Sequence, residues 1–463
     1  MKQVLEREAK WDVDEDFVLP ELGSLAPGLP VTQDTVDLIS EYYDTADRAL
    51  QTHGVLMRRR SGDDDTGWQL KIPADDGREE LHWPLTDSPP DELVRLLAGI
   101  RLGKPLEKVA TVHTVRRRYR FSRGDEPHSE LADDRVRAWS DEKLLAWREL
   151  EVELGPNTRA VSKRVSRGLR KAGARPSRHA SKLAHLLPPT PHAERRSAAA
   201  EALAAYLEEQ IDAIVAGDLG LRRGIDPIHD TRVATRRLRS TLRVFGPLLD
   251  RSAVGGLDEE LKWFAGLLGD VRDSQVQQRR FGEALDQLPD ELVLGPVRAR
   301  VQNDLQGVEF PARSAVREAM DSDRYVALLA TLRRLRETPP VSEDLGTAAL
   351  AKRARKAQRK ADRRLAEGLA SRDDAPLHRG RKAAKRARYA AELLGSRRTT
   401  KHYKRFQTVL GDLQDTVVAR EALRRMGAAG AVSGENGFTF GLLYAREQRI
   451  AEECRRTARK MSG

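Results

Sequence analysis

Glu6, Glu8 and Lys10 alternate at the start of the chain, and Glu149, Glu151 and Glu153 alternate near residue 150. Between them lie Arg58 with Arg60, Gln69 with Lys71, Arg78 with Glu80, and the row Thr114, Arg116, Arg118, Arg120. Side chains at i, i+2 and i+4 share one face of a strand. These faces carry charge where a half-buried strand would carry apolar groups, while the intervening Leu150, Val152 and Leu154 are fit for a packed layer. A single charged strand face is commonly just solvated. Five of them that combine carboxylate rows with basic rows suit a polyanion held through a divalent metal. Carboxylates take Mg²⁺ or Mn²⁺, and Arg and Lys neutralise the phosphate oxygens that the metal does not bind. Closing the sheet into a barrel would put both rows in one lumen. Arg59 and Arg117 fall on the opposite face.

A second pattern lies downstream. His229 is followed at +3, +7, +8 and +10 by Arg232, Arg236, Arg237 and Arg239; His378 is followed at the same offsets by Arg381, Lys385, Arg386 and Arg388. Further on, Phe264 to Asp273 (FAGLLGDVRD) matches Phe406 to Asp415 (FQTVLGDLQD). This is an internal duplication. On a helix the +0, +3, +7 and +10 positions share a side, so each copy forms a basic stripe headed by a histidine that follows Asp-Pro-Ile or Ala-Pro-Leu. Lys352, Arg355, Lys356, Arg359 and Arg363 form a third. Neither histidine has metal-ligand spacing around it. Gly269, Asp270 and Asp273, with Gly411, Asp412 and Asp415, read as turns and inter-helix ion pairs.

The elements that must hold these rows follow from texture. Segments 55–60, 68–72, 79–85, 109–121 and 147–154 alternate with period two and are separated by Gly, Asp and Pro, as in an antiparallel sheet. After the proline cluster at 188–191 come stretches 194–216, 227–249, 348–369 and 376–394, rich in Ala, Leu, Arg and Glu with apolar residues three and four apart. The fold class is therefore α+β in two domains. Residues 1–187 form the β domain, 188–194 a linker, and 195–463 an all-α domain with repeats at about 195–315 and 320–463. Charge divides along the same line. Of a net +11, residues 1–190 hold 31 basic and 33 acidic residues, and the remainder holds the surplus of +13. A basic surplus invites an acidic partner. With aromatics at only 5%, the stripes lack the stacking rings of single-strand nucleic-acid binders. The lone Cys454 excludes an internal disulfide framework and a multi-cysteine zinc site. No apolar run reaches the roughly 18 residues of a membrane span, and residues 1–12 have no apolar leader core, so a cytoplasmic location is expected.

The residues of the first domain resemble the CYTH domain, or triphosphate tunnel metalloenzyme, family. Glu6-Arg7-Glu8-Ala9-Lys10 fits its ExExK signature. Tyr42-Tyr43-Asp44-Thr45, Leu50, Gly54 and Arg58-Arg59-Arg60 are similar to its YYDT…L…G…LRxR block. Trp68 to Lys71, Thr114 to Arg116, Asp133 to Val136, Glu149 to Glu153 and Ser181-Lys182-Leu183 follow in the family's order. The resemblance implies an eight-stranded antiparallel β tunnel that hydrolyses a triphosphate with Mg²⁺ or Mn²⁺. Carried over by position, Glu6, Glu8, Asp134, Glu149, Glu151 and Glu153 are the metal-side carboxylates. Lys10, Arg58, Arg60, Lys71, Arg116 and Lys182 are the phosphate-binding group, and Arg78, Glu80 and Arg118 are further lumen residues. Glu6 and Glu8 are expected to hold the first metal, and the late Glu strand to serve the attacking water.

The duplicated part resembles the CHAD domain, a helical bundle that binds inorganic polyphosphate through basic surfaces. That resemblance makes His229, Arg232, Arg236, Arg239, Lys352, Arg355, Lys356, Arg359, His378, Arg381, Lys385 and Arg388 the polyphosphate contacts. Together the two parts imply a triphosphatase tethered to a polyphosphate-binding module, which concentrates phosphate chains near the tunnel and fits association with polyphosphate granules. Other readings stay open at this point: thiamine triphosphate or a nucleotide as substrate, a non-catalytic polyphosphate binder with a vestigial tunnel, or binding of a duplex nucleic-acid backbone by the basic part.

Overall fold

The computed structural model describes residues 2–25, 28–63, 65–123, 126–154, 159–189, 197–371, 373–432 and 436–462. Most of the expected linker, from residue 190 to 194, lies outside them. The chain divides into two compact units, Met1–Pro191 and His192–Gly463.

The first unit is one antiparallel sheet in the order β1-β6-β5-β4-β3-β7-β8-β9-β2-β10. Its strands are β1 Lys2–Glu6, β2 Glu8–Val13, β3 Val31–Asp44, β4 Leu56–Ser61, β5 Gly67–Ala74, β6 Gly77–Trp83, β7 Glu107–Arg123, β8 Glu126–Trp139, β9 Leu144–Leu154 and the two-residue β10 Arg175–Pro176. β1 and β2 are halves of one N-terminal strand interrupted at Arg7. The first half pairs with β6 and the second with β9, at opposite ends of the order. That switch closes the sheet, so the expected eight-stranded tunnel is present with β10 as an addition. Gly77 makes the switch possible. Its φ of +117° suits glycine, and a Cβ there would stand 2.2 Å from the Glu6 carbonyl oxygen.

The tunnel reverses the usual sheet economy. Part of its outward face is apolar: Trp11, Tyr119, Phe121, Leu131, Leu150 and Val152 are buried with Val165 and Leu169 of the helix Arg159–Lys171. Burying such side chains is the main favourable term, at about 1.5–3 kcal/mol for each large one. The alternate residues of the same strands must then point into the lumen, and those are the charged ones. Tyr42 shares the parity of Ser40 on β3 and lines the lumen, while Tyr43, beyond a register shift, packs on Trp68 at 4.9 Å between ring centroids.

The second unit is all-helical. Its nine long helices among the described residues are α1 Ala198–Arg222, α2 Ile228–Phe245, α3 Leu257–Asp286, α4 Val297–Met320, α5 Asp323–Glu337, α6 Thr347–Ala370, α7 Asp374–Leu393, α8 Arg397–Val432 and α9 Phe438–Ser462. The two His-led segments lie in α2 and α7, and the two Phe-led segments in α3 and α8. α2 buries Ala234, Leu238 and Phe245, and α7 buries Ala383, Ala384 and Ala387. α2 thus has an apolar core side and α7 a small-residue one, and each carries its basic residues elsewhere on its surface. His229 lies in the first turn of α2. His378, by contrast, lies in the second turn of α7, because Pro376 is accepted within a first helical turn and α7 begins at Asp374. No helix of the structure, among the described residues, is long and apolar enough to cross a membrane.

Candidate active site and anion cavity

The tunnel holds a cavity of about 470 Å³. From β1 and β2 come Glu6, Glu8 and Lys10; from β4 Arg58 and Arg60; from β5 Lys71; from β6 Arg78 and Glu80. β7 adds Arg116, β9 adds Glu151 and Glu153, and Lys182 enters from the short helix Lys182–Leu186. That helix is fixed by Ser181, whose side chain accepts the Ala184 N–H, and by Leu183 and Leu186 buried against β7 and β8 residues. Twelve of the fifteen expected tunnel residues therefore line one space. Asp134 and Glu149 stand behind it, and Arg118 lies apart, held bidentately by Asp34 (2.8 Å to each oxygen) and by Asp63 at 2.6 Å.

Behind the cavity, charges are closely matched. Lys182 Nζ lies 2.8 Å from Asp134, 2.7 Å from Glu149 and 2.7 Å from Glu151. Arg116 binds Asp134 through two N–H groups at 2.8 and 2.7 Å and also donates to Glu151, as does Lys10. Burial works against the Lys182 charge, but Asp134, Glu149 and Glu151 outweigh it and hold its pKa well above the usual lysine range. In the same network, burial opposes the Glu151 charge, and Lys10, Lys182 and Arg116 override it to hold that carboxyl well below the usual range. Ligand atoms of Asp134, Glu149 and Glu151 lie within 4.8 Å of one another, a metal-like grouping. An ammonium already sits among them, so these acids serve first to fix Lys182 and Arg116.

In front, one carboxylate, Glu153, is not matched, while Glu130 is held by Arg120 at 3.0 Å. Glu153 faces Glu8 on one side and Glu130 on the other, each in direct cross-strand register. Like charges placed so destabilise a sheet. Burial first, then Glu130 and Glu6, push the Glu153 carboxyl up to about 7, and no cation lies within ion-pair distance of it among the described residues. Glu6 is held by Lys71 at 2.5 Å and Glu8 by Lys10 at 3.1 Å. The same lumen concentrates positive charge on its far wall. Burial, Arg58 and Arg116 bring Arg60 down to about 10. Glu130 is a lumen carboxylate that the sequence reading missed. It shares parity with Asp134 on β8, the signal that could have found it. Asp65 and His82 also line the cavity, 3.2 Å apart.

The second unit has its own cavity, of about 670 Å³, and both histidine-led stripes line it. His229, Arg232, Arg236 and Arg239 come from α2; His378, Arg381 and Lys385 come from α7. His378 Nδ1 is 2.9 Å from Gln414. Arg239 is 3.2 Å from Asp258 and Arg232 is 3.6 Å from Asp273. The buried Nε atoms of Arg236 and Arg381 have no hydrogen-bond partner. Burial, then Arg381, Arg236 and Arg232, drive the Lys385 ammonium down to about 6. Unpaired buried donors together with a suppressed lysine describe a site built for an anion. Arg388 points elsewhere, to Glu392 at 2.8 Å and Gln407 at 2.9 Å. Lys352, Arg355 and Arg359 are exposed on α6 and do not line this cavity. Arg243, Arg272, Lys382 and Arg386 do line it and were not foreseen; Arg243 continues the α2 stripe at +14.

Gly269 and Gly411 are not turns. Both sit within helices, α3 and α8, and a Cβ would meet the Nη2 of Arg232 at 3.2 Å and of Arg381 at 3.4 Å respectively. The duplicated glycine makes room for the duplicated guanidinium.

Two family matches divide the chain as the geometry does: the CYTH domain over residues 6–165 and the CHAD domain over residues 205–424. "Uncharacterized protein MT2285" of Mycobacterium tuberculosis (strain CDC 1551 / Oshkosh) is 34% identical over 490 residues, covering 97% of this chain and 94% of its own. Among solved structures, PptA from Streptomyces chartreusis is similar at a TM-score of 0.49 with 24% identity, over 57% of this chain and 98% of that one. The CHAD domain from the plant Ricinus communis is similar at 0.45 with 24% identity, over 59% and 94%.

Proposed function

This chain belongs to the family of proteins that join a CYTH domain to a CHAD domain, and we propose that its tunnel hydrolyses inorganic triphosphate or short polyphosphate while its helical domain binds long-chain polyphosphate. CYTH tunnel enzymes are metal-dependent, and a triphosphate- or polyphosphate-related function follows from the two domains together. The finer assignment is supported by one observation: the six expected phosphate-binding cations line a single lumen with Glu6, Glu8, Glu130 and Glu153, of which Glu153 has no cation within ion-pair distance among the described residues.

The carboxylates in front of the lumen fit a divalent cation. Oxygen donors from Glu6 and Glu8 lie beside Glu153, whose pKa is raised by burial first and then by Glu130 and Glu6. Glu6 and Glu8 would hold Mg²⁺ or Mn²⁺, which when bound supplies charge neutralisation to the phosphate oxygens. Arg58, Arg60, Lys71, Arg116, Lys10 and Lys182 bind the oxygens along the chain, with the guanidinium forks orienting it. The matched network of Asp134, Glu149 and Glu151 keeps Lys182 and Arg116 in fixed positions, so little reorganisation is needed as charge shifts toward the leaving phosphate. Glu153, near 7, is the carboxylate suited to accept the proton of an attacking water through Oε.

An inorganic chain suits this lumen better than a nucleotide. Tyr42 and His82 are its ring-bearing residues among the described residues. Arg58 hydrogen-bonds the Tyr42 phenol and His82 faces Asp65, which leaves no free pair of rings to clamp a base. Phosphate release from tripolyphosphate, long-chain polyphosphate, ATP and thiamine triphosphate, with Mg²⁺ and with Mn²⁺, tests the assignment. Tripolyphosphate is expected to turn over fastest. Faster release from ATP or thiamine triphosphate would move the substrate, and no release from any would leave a binding protein.

In the helical domain, the convergence of two stripes 149 residues apart in sequence on one cavity supports polyphosphate as the ligand. Its expected location, with polyphosphate in the cytoplasm, rests on that reading.

A further inference from the structure

Arg243 at the end of α2 and Arg386 on α7 line two cavities at once. One is the central anion cavity. The other, of about 230 Å³, is completed by Arg353, Lys356 and Lys360 of α6 over the small side chains of Ala357 and Ala383. Among the described residues, no acidic one lines it. Positions 353, 356 and 360 follow the i, i+3, i+7 spacing of one helix face, a span of about 10 Å along the axis. Like charges there act on one another. Arg364, then burial, then Arg386 pull the Lys360 ammonium down, and burial, then Arg243 and Arg364, pull down Arg386. Asp258 is the carboxylate at the junction, 2.5 Å from Arg243 and 3.2 Å from Arg239.

We propose that this second cavity continues the central one as a single cationic track, and that Arg353, Lys356 and Lys360 engage only phosphate chains too long for the central cavity to hold. The helical domain then discriminates by chain length: a short chain is satisfied by α2 and α7, and a long one passes between Arg243 and Arg386 onto α6. This rests on the reading of the central cavity as a polyphosphate site.

The test uses the full-length protein in chelator, so that no chain is hydrolysed, titrated with tripolyphosphate and with polyphosphate of about 100 units. Lys356→Ala/Lys360→Ala removes two exposed side chains of α6. It is expected to weaken the long chain about tenfold and to reduce the dependence of log affinity on log salt by about 1.4, at ~0.7 per lost contact with a single strand. The tripolyphosphate isotherm should stay within twofold of wild type. Unchanged long-chain affinity, or an equal loss for both ligands, would overturn the track. Arg236→Ala/Arg381→Ala separates this from failure of the underlying reading. If that variant binds the long chain as wild type does, the central cavity is not the polyphosphate site and the track falls with it; if it weakens the long chain while the α6 variant does not, only the track is lost.

Discussion

Glu153 stands directly opposite Glu8 across the β2–β9 pair, with Glu130 opposite Glu153 on its other side. Lys10 holds Glu8 and Arg120 holds Glu130, which leaves Glu153 between them as the carboxylate without a cation among the described residues, at a cost to the sheet. The separate roles of Glu8 and Glu153 predict separable losses. Glu8→Gln should weaken Mn²⁺ binding and phosphate release together. Glu153→Gln should cut kcat by about 100-fold or more while Mn²⁺ affinity, read by calorimetry, stays within a few-fold.

Lys182 is the cation at the centre of Asp134, Glu149 and Glu151. Removing one partner from such a buried network costs about 3–5 kcal/mol, because the charges left behind are uncompensated. Lys182→Met should therefore lower the melting temperature sharply in chelator. Mn²⁺ should restore more of that loss than it adds to wild type, since the three acids would then lack their ammonium. Equal Mn²⁺ shifts in both proteins would contradict this.

In the helical cavity the unpartnered Nε atoms of Arg236 and Arg381 await an acceptor. A hydrogen bond to a charged group contributes about 1.5–3 kcal/mol. Arg236→Ala or Arg381→Ala should accordingly weaken polyphosphate binding by roughly 10- to 100-fold by titration at fixed salt.

Lys385 gives that binding a pH dependence. Its ammonium, brought down to about 6 by burial and by Arg381, Arg236 and Arg232, with Asp415 the opposing carboxylate, is mostly neutral at pH 7 in the free protein. A bound polyanion favours the charged form and raises the pKa, so binding takes up a proton. Affinity should fall as pH rises above about 6. Calorimetry in buffers of different ionisation enthalpy should show proton uptake near pH 7, reduced in Lys385→Met.

Gly269 and Gly411 predict an opposed pair of effects. Glycine within a helix costs about 0.5–1 kcal/mol relative to alanine, so Gly269→Ala or Gly411→Ala is expected to stabilise the helix. The added Cβ, 3.2 Å from the Arg232 Nη2 or 3.4 Å from that of Arg381, should displace the guanidinium and weaken polyphosphate binding. A variant that gains stability without losing affinity would contradict the role assigned to the gap.

Much of the site was legible because a strand's faces repeat every two residues and a helix's every three to four. Leu150 and Val152 reveal their outward packing, and so place Glu149, Glu151 and Glu153 inward, without any knowledge of the partner strands. What depends on register was not legible. Glu130 matters because it faces Glu153, a pairing fixed only when β8 and β9 associate. The closure at Arg7 was equally hidden, since a continuous alternation from Glu6 to Lys10 does not announce that its halves pair with strands at opposite ends of the sheet. The glycines of the repeated segment read as turns from intrinsic preference; the guanidiniums packed over them explain why a helix keeps them instead. Each basic stripe could be seen alone, but their meeting across one cavity, and the turning of Arg388 toward Glu392, are tertiary facts.

The most direct measurement is phosphate release from tripolyphosphate by the full-length protein, followed with added Mg²⁺ or Mn²⁺, with chelator, and in the Glu8→Gln variant. The tunnel geometry predicts release that requires the divalent ion and is lost with Glu8. Release that persists undiminished in chelator or in Glu8→Gln, or no release under any condition, would contradict it.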